Sequence, residues 1–347
     1  MRLLELKRGE PDSSIKELLT HNVIGTPGKS MVYQQLCVRD KLDHIPDPYF
    51  LSVRLAERVV GTSCFIRRAV AVGAHTLEAF HIRYFAFRTQ FRSNDAALGR
   101  LNKKSALRNE ISDVLEGKPF GLSSSPLSYA YVDPGNVRSL RIIESYGFQH
   151  VGNFNTVFFS RFAPKANPDV SRVSENEESE VKALIGDAYA NHALYTSENI
   201  GYKGGLFVLQ KQGTIVAALQ ANPEHWKVHE LPGSKHLIHM VSRIPFINRL
   251  FHRDFRFLSI EGIYVKSGHE KQLEKLISGV LAQTGRHTAI MCLDPKSQEY
   301  QLMQRQNRGF IRLLINEKKL YVMARGPKEV LDSLRQHPIY VSAFDNM

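Results

Sequence analysis

Glu261 lies in Leu258-Ser-Ile-Glu-Gly-Ile-Tyr264, an otherwise apolar run of the kind a strand buried on both faces shows. Burial there raises a carboxyl pKa, and such a group can take a proton from an ammonium. A structural carboxylate held by backbone donors or an arginine is the other reading. Glu78 and His81 share the run Leu77-Glu-Ala-Phe-His-Ile-Arg-Tyr84. Three residues apart on a strand, they point to opposite faces and cannot line one site, and each reads first as structural. Between Arg83 and Arg108 stand seven basic residues, including Arg88 and Arg92, against the single acid Asp95. That stretch favours an anionic ligand. His225, Trp226, His229, His236 and His239 fall within fifteen residues, but no Cys/His spacing there fits zinc. The expectation is a loop packing its tryptophan on a domain face, with no metal. Residues 243–256 interleave four arginines with Phe246, Phe251 and Phe255. They read as a nucleic-acid surface or a lid over a cleft.

The elements that position these residues come from a chain of 347 residues, 43% hydrophobic and 23% charged. That length and composition support two globular cores and exclude a disordered chain, a collagen-like fibre and a coiled coil. Three scattered cysteines, Cys37, Cys64 and Cys292, build neither a disulfide framework nor a thiolate zinc site. The start, MRLLELKRGE, has no apolar signal core, and no run approaches the roughly 18 apolar residues of a membrane span. A cytoplasmic protein with no membrane partner is the expectation. The net charge of +12 favours polyanionic partners, so nucleic acid stays open, as does plain solubility charge.

Residues 162–169, with Pro164 and Pro168, read as a linker dividing domains 1–163 and 170–347. Each half opens with a short helix: Ile15, Leu18 and Leu19 in one, Val181, Leu184, Ile185 and Ala188 in the other. Residues Asp12 to Ser14 and Ser174 are the expected caps. Strand–turn–strand patterns follow at 50–58 with 59–67, and at 206–211 with 214–221. A long strand and a long helix come next. In the second half Leu273, Leu276, Ile277, Val280 and Leu281 repeat at helical spacing. Each half then gives a strand, a helix, a Gly-Phe pair (Gly147-Phe148, Gly309-Phe310) and closing strands. The repeated order points to a duplicated α/β domain with a mixed sheet. Residues 338–344 are apolar enough to dock as a strand.

Residues 130–148 run strand, Asp133-Pro134-Gly135, helix from Asn136, then Gly147-Phe148. This resembles the Asn-x-x-Ser/Ala … Gly-Phe signature of the GNAT N-acetyltransferase superfamily, carried by Asn136, Ser139, Gly147 and Phe148. Val59-Val60-Gly61 is similar to a GNAT strand entry, and residues 257–265 resemble the central strand, with Glu261 four residues before Val265. The whole chain resembles two GNAT-like acyl-CoA N-acyltransferase domains in tandem. The resemblance implies acetyl-CoA, or another acyl-CoA, as co-substrate and a small-molecule or peptide amine as acceptor. It implies cofactor contacts from Arg88, Phe91, Arg92, Ser93, Ala97, Asn136 and Ser139, and Glu261 or Glu78 as base. The family's phosphate loop has Gly where Asp95 stands, a carboxylate that repels pyrophosphate. In the second half Ser267 and Glu270 form a capping-box pattern that takes up donors a phosphate needs. The usual leaving-group tyrosine is replaced by Ile143 and Arg305, which leaves Tyr300 as substitute; Tyr146 reads as core. Two alternatives stay open. One is a degenerate binding module for a ligand, protein or RNA; the other is a transferase using a tRNA-borne donor.

Overall fold

Residues 48–52 and 59–66 are buried one after another, as strands covered on both faces are, and the chain pairs with itself there as a long hairpin. A computed structural model describes residues 4–55, 58–73, 75–88, 106–122, 125–232, 238 and 243–346. The first strands are β1 (Leu4–Arg8), β2 (Val23–Ile24), β3 (Val32–Gln35), β4 (Pro48–Leu55), β5 (Arg58–Val72) and β6 (His75–Phe87). After a helix at Ala106–Leu115 come β7 (Leu127–Val132), a helix at Val137–Ser145, and β8 (Gln149–Ser160). The second half carries β9 (Val170–Arg172), β10 (Leu206–Lys211), β11 (Thr214–Glu230), β12 (Asp254–Val265), β13 (Thr288–Leu293) and β14 (Lys318–Arg325).

These strands form one mixed sheet in the order β1-β4-β5-β6-β7-β14-β8-β13-β12-β11-β10-β9, with β3 on β11 and β2 on β3. Most neighbours are antiparallel, but β6 with β7 and β12 with β13 are parallel. The middle of the sheet exchanges partners. β14 pairs with β7 and β8, and β8 pairs with β13. Each half's last strand therefore completes the other half's sheet. Residues 161–169 connect β8 to β9, and the sheet runs continuously past them.

Local signals explain the helices. Asp12 Oδ1 accepts from Ile15 N at 2.9 Å and caps Ser13–Thr20. In the second half Glu177, not Ser174, stands at the cap position of Glu178–Ala188. Its carboxylate instead accepts from Ser174 N and Oγ, which braces the turn before the helix. Helix Gln272–Thr284 buries Leu273, Leu276, Ile277, Val280 and Leu281 completely. Each such side chain contributes about 1.5–3 kcal/mol by burial. Gly147 at φ +83° takes the left-handed conformation that stops helix Val137–Ser145, whereas Gly309 at φ +80° lies beyond the extended cap Gln306 of helix Gln298–Arg305 and turns the chain there. His225, Trp226 and His229 lie on β11 rather than in a loop, because β3 supplies the missing edge partner and Tyr33 stacks on Trp226 at 4.1 Å. The 338–344 run docks through one bridge, Ile339 to Ala193, and then turns into the short helix Ala343–Asn346. Among the described residues, no helix is long and apolar enough to cross a membrane.

Candidate active site

Two parallel strand pairs part before they end. β6 and β7 pair from Ala79–Leu127 to Ile82–Ala130, and β6 then runs on from Arg83 to Phe87. β12 and β13 pair from Leu258–Ala289 to Ile260–Met291, and β12 then runs on from Glu261 to Val265. Where parallel strands diverge, backbone donors and acceptors face a gap instead of a ladder. An extended amide chain can bridge such a gap.

Segment 338–346 lies between the two openings. Glu261, the first residue past the β12/β13 pairing, accepts from Tyr340 OH at 3.0 Å and from Phe344 N at 3.3 Å. Cys292, the first past it on β13, meets Asn346 Nδ2 at 3.2 Å. Toward the other opening, Asp345 pairs with Arg68, with Arg83 NH1 at 3.2 Å and with His81 Nδ1 at 3.6 Å. Arg83 is the first residue past the β6/β7 pairing. Arg83 NH1 and Lys41 Nζ also approach Phe344 O, at 3.3 and 3.4 Å, and Lys41 pairs with Glu224 at 2.6 Å. Lys41, Arg68, Arg83, Glu224, Glu261 and Asp345 are all buried.

Burial sets the chemistry of these groups. It pushes Glu261 up to about 7, against the pull of the Ser342, Tyr340 and Phe344 donors. It pushes His81 down to about 3, with Arg68 and Arg83 repelling a ring charge and Asp345 opposing them. Asp345 goes the other way: burial alone would raise it, but Arg68, His81 and Arg83 hold it well below the usual carboxylate range. His81 is therefore a neutral ring, stacked on Tyr129 at 4.8 Å. Glu261 is the carboxyl poised to exchange a proton near neutral pH.

A scan against protein-family models and a search of curated proteins returned no match. Among solved structures, N-myristoyltransferase of Saccharomyces cerevisiae with bound myristoyl-CoA and inhibitors matches with TM-score 0.58 and 10% identity, over 93% of this chain and 80% of that one. Two structures of the same yeast enzyme with bound myristoyl-CoA match at TM-scores 0.57 and 0.53 and identities of 10% and 9%. Each covers 94% of this chain, and 80% and 84% of theirs. The chain shares the N-myristoyltransferase fold. At this identity the likeness is one of fold.

Within this N-myristoyltransferase-like sheet the residues singled out by sequence spread over several places. Glu261 borders the second opening. Glu78 lies on β6 with its side chain half-exposed and paired to Arg67 at 2.5 Å, away from the buried His81. Asn136 caps Val137–Ser145 by accepting from Ser139 N at 3.1 Å, so both residues serve that helix start. Arg88 donates to Val59 O at 2.8 Å. Phe91, Arg92, Ser93 and Ala97 lie outside the described residues. Tyr300 belongs to a different cluster, where it donates to Glu317 at 2.8 Å and accepts from Asn155 at 3.2 Å. Gln304 and Arg308 hold the same carboxylate beside a cavity of about 550 Å³. Glu270 does not box with Ser267; its carboxylate accepts from Gly268 N at 2.9 Å, inside the loop that leads from β12 to helix Gln272–Thr284. Among the described residues, no three His, Cys, Asp or Glu side chains group as metal ligands.

Sequence reasoning counted Arg83 only as the start of a basic stretch and missed Arg68, Lys41, Glu224, Tyr340 and Asp345. A weak signal existed, since Arg68 and Arg83 are charges inside long apolar hairpin strands. Their partner Asp345 stands 277 and 262 residues away in sequence.

Proposed function

We propose that the chain is an acyl-CoA-dependent N-acyltransferase that carries acetyl, or a longer acyl group, to an amine on a small molecule or peptide. The observation that carries this reading is the pair of parting parallel strands in a sheet of the N-myristoyltransferase fold, whose yeast relative was solved with bound myristoyl-CoA. The acyl-CoA is assigned to the β6/β7 opening. Arg83 stands at its mouth, and the basic stretch that includes Arg92 follows β6 in sequence. In the second half, the Glu270 carboxylate already takes a loop N–H that a phosphate would need.

Glu261 is the proposed base for the attacking ammonium. Its raised pKa suits that step, and the 338–346 turn puts it one residue of chain from the Asp345–Arg83 contact at the first opening. Both its oxygens accept bonds from that turn, so proton transfer requires the turn to move aside. The same observation favours a second reading for the β12/β13 side, a catalytically silent half that binds ligand, protein or RNA.

Titration calorimetry with acetyl-CoA tests both. Micromolar binding that is lost in Arg92→Ala and kept in Glu261→Gln supports cofactor in the first half, and turnover lost in Glu261→Gln supports the base. Absence of binding by the wild type, with acetyl- and myristoyl-CoA alike, overturns the acyl-CoA reading.

A further inference from the structure

Two segments of the second half are rich in arginine and apolar residues and contain no acid: residues 243–253 and 305–316. The fold brings them to one end of the sheet. Thr288, the first residue of β13, pairs with Ser160, the last of β8. Thr288 Oγ1 donates to Leu250 O at 2.6 Å and so anchors the first segment. Ser160 Oγ accepts from Ile311 N at 3.1 Å and anchors the second. The two segments thus project from neighbouring strand ends, about 5 Å apart.

Their apolar side chains point into solvent. Ile244 is 44% exposed, Phe246 65% and Leu313 71%. Phe310 and Phe162, with rings 5.6 Å apart, are 37% and 36% exposed. Of the eight large hydrophobics exposed among the described residues, these five share this one end. Exposed apolar side chains gathered at one end of a molecule mark an interaction site, whereas single ones are ordinary surface scatter. Phe246 also takes φ +69°, a conformation rare for a side-chain-bearing residue, which holds the ring outward. The base beneath is firm, because Leu250, Phe251 and Phe255 are buried.

We propose that this end, built on Phe162, Ile244, Phe246, Phe310 and Leu313, docks on the surface of an anionic lipid bilayer. Apolar side chains enter the headgroup boundary while Arg243, Arg249 and Arg312, all exposed, meet lipid phosphates. Charge decides against a second copy of this chain, which would set arginine against arginine. The make-up of the patch disfavours a base-stacking platform: Phe251 and Phe255 pack on each other at 4.7 Å inside the molecule, Phe246 is the one ring left exposed between the arginines of 243–256, and Ile244 and Leu313 have no ring to stack. The contact is peripheral and independent of acyl transfer, which calorimetry in solution reads separately.

Flotation of the full chain with vesicles provides the test. The wild type floats with phosphatidylcholine vesicles containing phosphatidylglycerol and stays behind with phosphatidylcholine alone. Phe246→Ser with Leu313→Ser, and separately Arg249→Glu with Arg312→Glu, each weaken partitioning roughly tenfold or more. Leu36→Ser, an exposed apolar residue on the 36–37 turn before helix Val38–Leu42, leaves it unchanged. Melting curves establish that each variant is folded. The proposal is overturned by a wild type that ignores anionic vesicles, or by an apolar double variant that floats undiminished, since diffuse charge then suffices. It is equally overturned if the same substitutions abolish RNA binding or a concentration-dependent dimer while vesicle binding persists.

Discussion

Of two buried carboxylates, Glu261 accepts bonds from the 338–346 turn and Asp345 belongs to it, and burial and charge displace their pKa values in opposite directions. Glu261 gains its raised value from burial, and Asp345 is held down by Arg68, His81 and Arg83 against burial. For Glu261 the folded pKa exceeds the unfolded one. Its contribution to stability is fully present below 4.5 and is lost as pH rises through about 7. Glu261→Gln is expected to flatten the fall in melting temperature across that window, as read by thermal scans at stepped pH. For Asp345 the sign reverses, with stability present above 3.8 and lost as pH falls below it. Asp345→Asn leaves two buried guanidinium groups under-compensated and is expected to cost about 3–5 kcal/mol in urea unfolding. An unchanged midpoint would refute the pairing. Glu261 was legible in the sequence because one carboxylate in an apolar strand is a local signal. Asp345 was not, because an acid just past the apolar 338–344 run looks like any surface acid until the fold carries it 277 residues back to Arg68.

At the scale of elements, the two Gly-Phe pairs look alike in sequence and sit in different surroundings. A Cβ on Gly309 would lie 2.0 Å from Ser160 O, whereas one on Gly147 would meet only the Arg325 side chain at 3.7 Å. Gly147→Ala is therefore expected to cost about 1 kcal/mol from its left-handed backbone alone. Gly309→Ala is expected to cost several times that, because backbone cannot yield as a side chain can. Paired denaturation curves decide it, and equal losses would sink the argument. Leu276→Ala, at the centre of helix Gln272–Thr284, is expected to cost about 2–5 kcal/mol. That helix was readable because its five apolar residues keep strict helical spacing. The helical turn Ile311–Leu314, which delays β14 after Gly309-Phe310, was not readable: four residues carry too little periodicity to separate a turn of helix from strand.

Across the whole molecule, the repeated order of elements was visible in sequence, but the exchange of β8 and β14 was not. Strand pairing across the middle of the sheet is decided by tertiary packing, and nothing local marks which edge a closing strand will choose. The exchange makes the halves interdependent. Residues 1–166 expressed alone are expected to be insoluble or molten, and co-expression with 167–347 to restore a single cooperative unfolding transition. Independent cooperative folding of the first fragment would show that β14 is dispensable to it. The same interlock bears on synthesis. Thr156 of β8 and Lys318 of β14 are neighbours in space and 162 residues apart in the chain. On the ribosome, β7 and β8 are made long before the strand that belongs between them. The nascent first half waits with two unpaired inner edges, each a template for another chain. Slowed elongation after β8 would lengthen that exposure, so yield in the cell should depend on translation speed and on chaperones that shield strand edges.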